Sequence, residues 1–177
     1  MPGEGITPER KAELEREIGR TFGRFFDRQR TLERTPVDVR GTPDDDVLDD
    51  HLWVRLGART GDDPETVASL SDGLRAYYAT RLFESERGSG GVTGFLETAA
   101  WIAPHVAEGY RYLELPEAAA AFEALWSTPT AHRLIADDSY EATADDIAEL
   151  ERLAAAVGSH DHERVALARR HPEVFSI

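Results

Sequence analysis

Apolar residues recur along this chain at spacings of three and four, the period of a helix face, and no stretch alternates in the two-residue rhythm of a strand. The first run is Leu14, Ile18, Phe22, Phe25 and Phe26. It follows Thr7-Pro8-Glu9, which reads as an N-cap, a proline at the first helical position and an acid in the first turn. These signals predict a long amphipathic helix from about Pro8 to Arg30. Arg16, Arg20, Arg24 and Arg28 form a ridge on its side away from the phenylalanines. Two readings of that ridge stand: a solvated face paired in part with Glu13 and Glu17, or an arm that docks on an acidic body, its own or a second copy's.

Residues 35–42, with Pro36 and Gly41, read as a connector. Thr42-Pro43-Asp44 repeats the start signal, predicting a helix from about Pro43 to Leu56 that buries Val47, Leu48, Leu52 and Leu56, with Gly57 near its end. Asp63-Pro64-Glu65 opens another, carrying Val67, Leu70, Leu74, Tyr77, Tyr78 and Leu82 inward to about Arg87, where Gly88-Ser89-Gly90-Gly91 stops it. Periodicity resumes through Phe95, Trp101 and Ile102, is punctuated by Pro104, and continues to Leu113. Further helices are expected from Pro116 to Trp126, near Ala131 to Ala136, from Ala144 to Val157 and from His162 to Arg170, the last with Asp161 as its N-cap. The fold class is therefore all-α: a single compact multi-helix domain over residues 1–177, with an N-terminal helix and connector (1–41) and a helical body (42–177).

Charge sharpens this picture. Residues 1–40 carry nine basic and eight acidic side chains, whereas the remainder carries 26 Asp and Glu against 11 Arg, giving a net charge of −14 for the whole chain. Such a body repels nucleic-acid phosphates, so no direct DNA or RNA binding is expected and basic partners are favoured. Acids that only keep the protein soluble are the competing account. There is no cysteine, which excludes a disulfide framework and thiolate metal sites. A mean hydropathy of −0.46 with no long apolar run excludes a membrane span of helical type. Met1-Pro2-Gly3-Glu4 lacks the basic and apolar regions of a signal peptide, so a cytoplasmic location is expected.

Two segments concentrate the acidity. Five of the seven residues from Asp44 to Asp50 are aspartates: Asp44, Asp45, Asp46, Asp49 and Asp50. A helix dipole favours the first three, whereas Asp49 and Asp50 fall beyond its first turn. Asp137, Asp138, Glu141, Asp145, Asp146, Glu149 and Glu151 place seven acids in fifteen residues with no Lys or Arg among them. A fully helical segment of that length would span about 22 Å, roughly one charge per 3 Å. One strand of duplex DNA carries one per ~3.4 Å. Thr143 with Asp145 and Asp146 also fits an ordinary helix-capping region.

Candidate chemistry is sparse. The glycines of 88–94 invite a phosphate-loop reading, but a Walker loop needs a Lys followed by Ser or Thr after a strand, and here a helix precedes and no Lys is present. Gly88, Gly90 and Gly91 read instead as a hinge between packed helices. His160-Asp161-His162, with His171 downstream, contains zinc-ligand types, yet residues i and i+2 point apart and no His-Glu-x-x-His occurs. No serine sits in Gly-x-Ser-x-Gly. No cofactor and no catalytic residue is expected.

The run Tyr77-Tyr78-Ala79-Thr80-Arg81-Leu82-Phe83-Glu84-Ser85-Glu86-Arg87-Gly88-Ser89-Gly90-Gly91-Val92, followed by Phe95, resembles the heart of a bacterial all-helical family named after a DNA-mimic member. Glu86, Gly90 and Gly91 match its core spacing, and the helix opening at Leu115-Pro116 and the tail His171-Pro172-Glu173-Val174-Phe175 look like its C-terminal part. Ser89 stands where that family usually has Asn, Val92 where Phe is usual and Gly94 where Gln is common. The resemblance implies an all-α fold and, as for the namesake, an acidic surface that occupies a DNA-binding partner. It carries over no catalytic residue.

The leading expectation is a non-enzymatic interaction protein that binds a basic protein surface, a DNA-binding face among the candidates, through the acids of 44–50 and 137–151. The alternatives are a metal-dependent hydrolase or other enzyme using His160 and His162, and a helical scaffold whose acidity only solubilises. Oligomeric state is open.

Overall fold

The computed structural model describes residues 26–137 and 139–177. Most of the predicted N-terminal helix, with Arg16, Arg20, Arg24 and the phenylalanines Phe22 and Phe25, lies outside the described residues, as does Asp138. Over its described residues, 26–34, it is helical (α1), and Phe26 is 50% exposed. Thereafter come α2 (Asp45–Thr60), α3 (Pro64–Ala68), α4 (Asp72–Thr98), a 3₁₀ turn (Ala100–Ile102), α5 (Ala103–Tyr112), α6 (Pro116–Trp126), α7 (Pro129–Ala136), α8 (Ala144–Val157), α9 (Asp161–Arg170) and α10 (Pro172–Phe175). The fold is all-α, with no strand among the described residues.

The longest helix among the described residues is the axis of the packing. α4 touches α2, α5, α7, α8, α9 and α10. Consecutive residues Ala76, Tyr77, Tyr78, Ala79 and Thr80 are all buried, as expected of a helix surrounded on every side rather than lying on a surface. From its middle and its far half Phe83 and Phe95 meet each other and Phe122 edge to face, with ring centroids 4.9 to 6.2 Å apart, which ties both halves of α4 to α6.

Five boundaries differ from the sequence expectation, each for a local reason. α2 starts at Asp45 because Asp44 accepts from the Val47 amide and caps the helix itself. It then runs past Gly57 to close at Gly61, whose φ of 56° is the left-handed conformation that a helix end requires. The expected continuous helix from Pro64 to Arg87 breaks at 69–71. There Ser69 Oγ turns back to the Thr66 carbonyl, and Arg75 donates to the carbonyls of Ala68 and Leu70 at 3.1 and 2.9 Å. The expected stop at Gly88 does not occur. α4 continues to Thr98 with one non-helical residue, Gly91, at φ 70° and ψ −176°. His160 rather than Asp161 stands at the N-cap position of α9, without a side-chain cap, and the Asp161 carboxylate in the first turn is drawn to Arg164 and Arg81.

Candidate functional site

Asp45, Asp46, Asp49 and Asp50 stand at positions i, i+1, i+4 and i+5 of α2, so they form two adjacent ridges on one side of the helix. α9 packs beside α2 and brings Asp161 and His162 to the same place. With Arg81 and Val165 these residues line a concavity of about 350 Å³. Five carboxylates therefore share one hollow with a single arginine in its wall. Asp44, spent on the N-cap, is not part of it.

The arrangement is held from beneath by a polar network across α2, α4, α5 and α9. Tyr77 donates to the Asp49 carboxylate at 2.5 Å, and Arg81 lies 3.1 Å from the other Asp49 oxygen while stacking over Trp53. Burial pushes the Asp49 carboxyl up despite the Tyr77 hydrogen bond and the Arg81 charge. Arg81 also reaches Asp161 at 3.9 Å. Asp161 in turn pairs with Arg164, whose guanidinium makes a two-pronged contact with Glu84 at 2.8 and 3.0 Å. Glu84 further accepts from the Tyr110 hydroxyl, the Ser159 hydroxyl and the His160 amide. Burial pushes the Glu84 carboxyl up, but the Arg164 hydrogen bonds and charge, with the other donors, outweigh it and hold it below its ordinary value. Burial, then the neighbouring Glu84 charge, drives the Tyr110 phenol upward, so it stays a donor.

The second acidic segment is organised differently. Among its described residues only those from Ala144 onward are helical, so the even charge spacing of a fully helical segment is absent. Asp137 closes its own turn by accepting from the Ser139 amide and hydroxyl. Those hydrogen bonds hold its carboxyl below the ordinary range. Asp146 completes a reciprocal capping box with Thr143. Glu149 makes a two-pronged contact with Arg152. Glu151 faces inward and accepts the amide of Val92 at 2.8 Å, the donor that the Gly91 kink frees from α4. Glu141 and Asp145 remain exposed. None of these acids lines the α2 and α9 hollow.

The histidines have separate surroundings. His160 donates from Nε2 to the Val157 carbonyl at 2.8 Å and packs edge-on against Tyr110, whereas exposed His162 looks into the acidic hollow. Among the described residues no group of three or more His, Asp or Glu side chains is placed to hold a metal. Of the glycines, Gly88 and Gly90 lie within helical turns of α4 and the kink falls at Gly91 alone. No described helix is long and apolar enough to cross a membrane.

Sequence reasoning missed Asp161 and His162 as companions of the α2 aspartates. The available signal was only that the two segments are each acid-rich or polar at a helix start, and nothing local joins residues more than a hundred positions apart.

No curated protein and no solved structure matches this chain. The sequence model of the DMP19-like protein family matches residues 68–171, from the end of α3 to the C-cap of α9. That span takes in the Glu86, Gly90 and Gly91 pattern, the acids of 137–151 and Asp161, and leaves the α2 aspartates outside it. Covering more than half of the 177 residues, this match places the chain in the DMP19-like family.

Proposed function

We propose that this protein is a non-enzymatic interaction protein whose acidic surface occupies a basic protein surface, namely the DNA-binding face of a DNA-binding partner. The observation that carries this reading is the gathering of Asp45, Asp46, Asp49, Asp50 and Asp161 from two helices around one hollow. A surface of one sign steers a cationic partner into encounter and repels nucleic acid itself. Family membership supports the same reading, since the family takes its name from a DNA mimic. Glu141 and Asp145, exposed at the entry to α8 and outside the hollow, are a second set of contacts in this proposal.

The test is capture of partners from host lysate on the immobilised full chain at low salt, with elution by competing duplex DNA and identification by mass spectrometry. A DNA-binding protein released by DNA is the expected result. It should be lost from a variant carrying Asp46→Asn, Asp50→Asn, Glu141→Gln and Asp145→Asn. These exposed positions change stability by about 0.5 kcal/mol or less each. Recovery of no DNA-displaced protein, or equal recovery by the variant, would overturn the reading.

A further inference from the structure

A second hollow, of about 410 Å³, lies where the end of α4 and the 3₁₀ turn face α7 and the turn that follows it. Its chemistry differs from that of the α2 site. Trp101, Leu134, Ile135 and Tyr140 supply apolar wall, and Glu97 and Asp137 bring one carboxylate from each side. Ile135 is 39% exposed, an aliphatic side chain left in water beside a half-buried tryptophan. Glu97 is exposed with no ion pair among the described residues, and the Ser139 donors keep Asp137 ionised. Arg133, the cation of α7, is turned onto the Tyr140 ring at 5.7 Å.

We propose that this groove seats an apolar side chain of the partner, presented by a segment whose flanking residues are basic. The proposal rests on the acidic-surface reading and adds to it. Charge alone accelerates encounter and gives strong salt dependence, whereas residence of a complex comes from a few apolar anchors packed in pockets and shielded from water. The groove is within the size range of clefts that hold small ligands. Its two rim carboxylates would oppose an acidic or phosphate-bearing segment, and flanking arginines or lysines answer both of them at once. The occupant is thus a basic stretch interrupted by a leucine or an aromatic residue.

The probes are two synthetic peptides, four arginines flanking a central leucine–phenylalanine pair and the same arginines flanking serine–glycine. Each is titrated at low salt into the isotopically labelled full chain. Trp101 is one of three tryptophans, so its indole N–H signal is assignable from the spectrum of Trp101→Phe. The apolar-centred peptide should bind about fivefold tighter than its control, a difference on the order of one buried methylene group, and should move the Trp101 indole signal. Ile135→Ser should bring the two peptides to equal affinity with its thermal transition unchanged, since Ile135 is an exposed position. Equal affinities in the parent chain, or tight binding that leaves Trp101 unmoved, would overturn the groove and leave the acidic-surface reading standing. Binding of neither peptide would overturn both.

Discussion

Arg164, with a fully buried side chain, and Glu84, 4% exposed, face each other in a two-pronged ion pair that joins α9 to the middle of α4. The pair fixes the height at which Asp161 is presented to the α2 aspartates, because Arg164 holds both carboxylates at once. A buried pair of this kind contributes little over an apolar substitute, but removing one partner strands the other.

Glu84→Ala should therefore destabilise the protein by about 3–5 kcal/mol, measured by urea denaturation. Glu84→Gln, whose single carbonyl oxygen can accept from Tyr110 or from Ser159 and His160 but not from both sides, keeps the side-chain volume and should cost less. The Glu84 carboxyl titrates below its ordinary value of 4.5 in the folded chain, so its contribution is fully present above that pH and is lost as pH falls through the lower folded value. The stability gap between parent and Glu84→Gln should be constant toward neutral pH and shrink in acid. A gap unchanged across that range would contradict the assignment.

Gly91 and Gly88 should respond in opposite senses to alanine. At Gly91 the φ of 70° disfavours any side chain, and an added Cβ would lie 2.6 Å from the Glu151 carboxylate that accepts the Val92 amide. Gly91→Ala should cost about 1–3 kcal/mol. At Gly88 the backbone is helical, the position is exposed and an added Cβ meets nothing within 4 Å. Gly88→Ala should raise stability by roughly 0.5–1 kcal/mol. Thermal melts of the two variants distinguish one built kink from a generally pliant glycine segment.

Asp44 separates capping from charge. Asp44→Ala removes the acceptor of the Val47 amide and should cost about 1 kcal/mol. Asp44→Ser keeps a capping oxygen while deleting the carboxylate, so stability should stay within a few tenths of a kcal/mol of the parent. Because Asp44 does not line the α2 and α9 hollow, Asp44→Ser should also leave partner capture intact. Loss of capture in this variant with unchanged stability would move the proposed contact surface toward the start of α2.

The helices legible from local signals were those bounded by strong punctuation. Pro116 and Trp126 mark the observed ends of α6, and Thr143 with Gly158 flank α8 at its expected limits. The break at Ser69 was not legible, because Leu70 continues the apolar period while the freed carbonyls are taken by Arg75 from the next helix. At the candidate site, the α2 ridges followed from spacing alone. That Glu151 would turn inward to a kink in α4, and that Asp161 would cross to Arg81, depend on contacts between residues 59 and 80 positions apart in sequence. Periodicity has no access to such pairings. Acidity counted along the chain therefore overstated what is free on the surface.

The ion pairs along α2 bear on what association would involve. Arg28 lies against Asp50 at 3.5 Å, Arg81 against Asp49 at 3.1 Å and Arg169 against Asp45 at 2.8 Å, so three of the four ridge aspartates already hold a cation from their own chain. These arginines are tethered counterions. Unlike sodium or potassium ions they are not released to bulk on binding, and a partner's lysine or arginine must trade places with them. In the proposed complex, each exchange at α2 would return less ion-release entropy than a bare carboxylate does, so affinity would fall with salt less steeply than the number of aspartates implies.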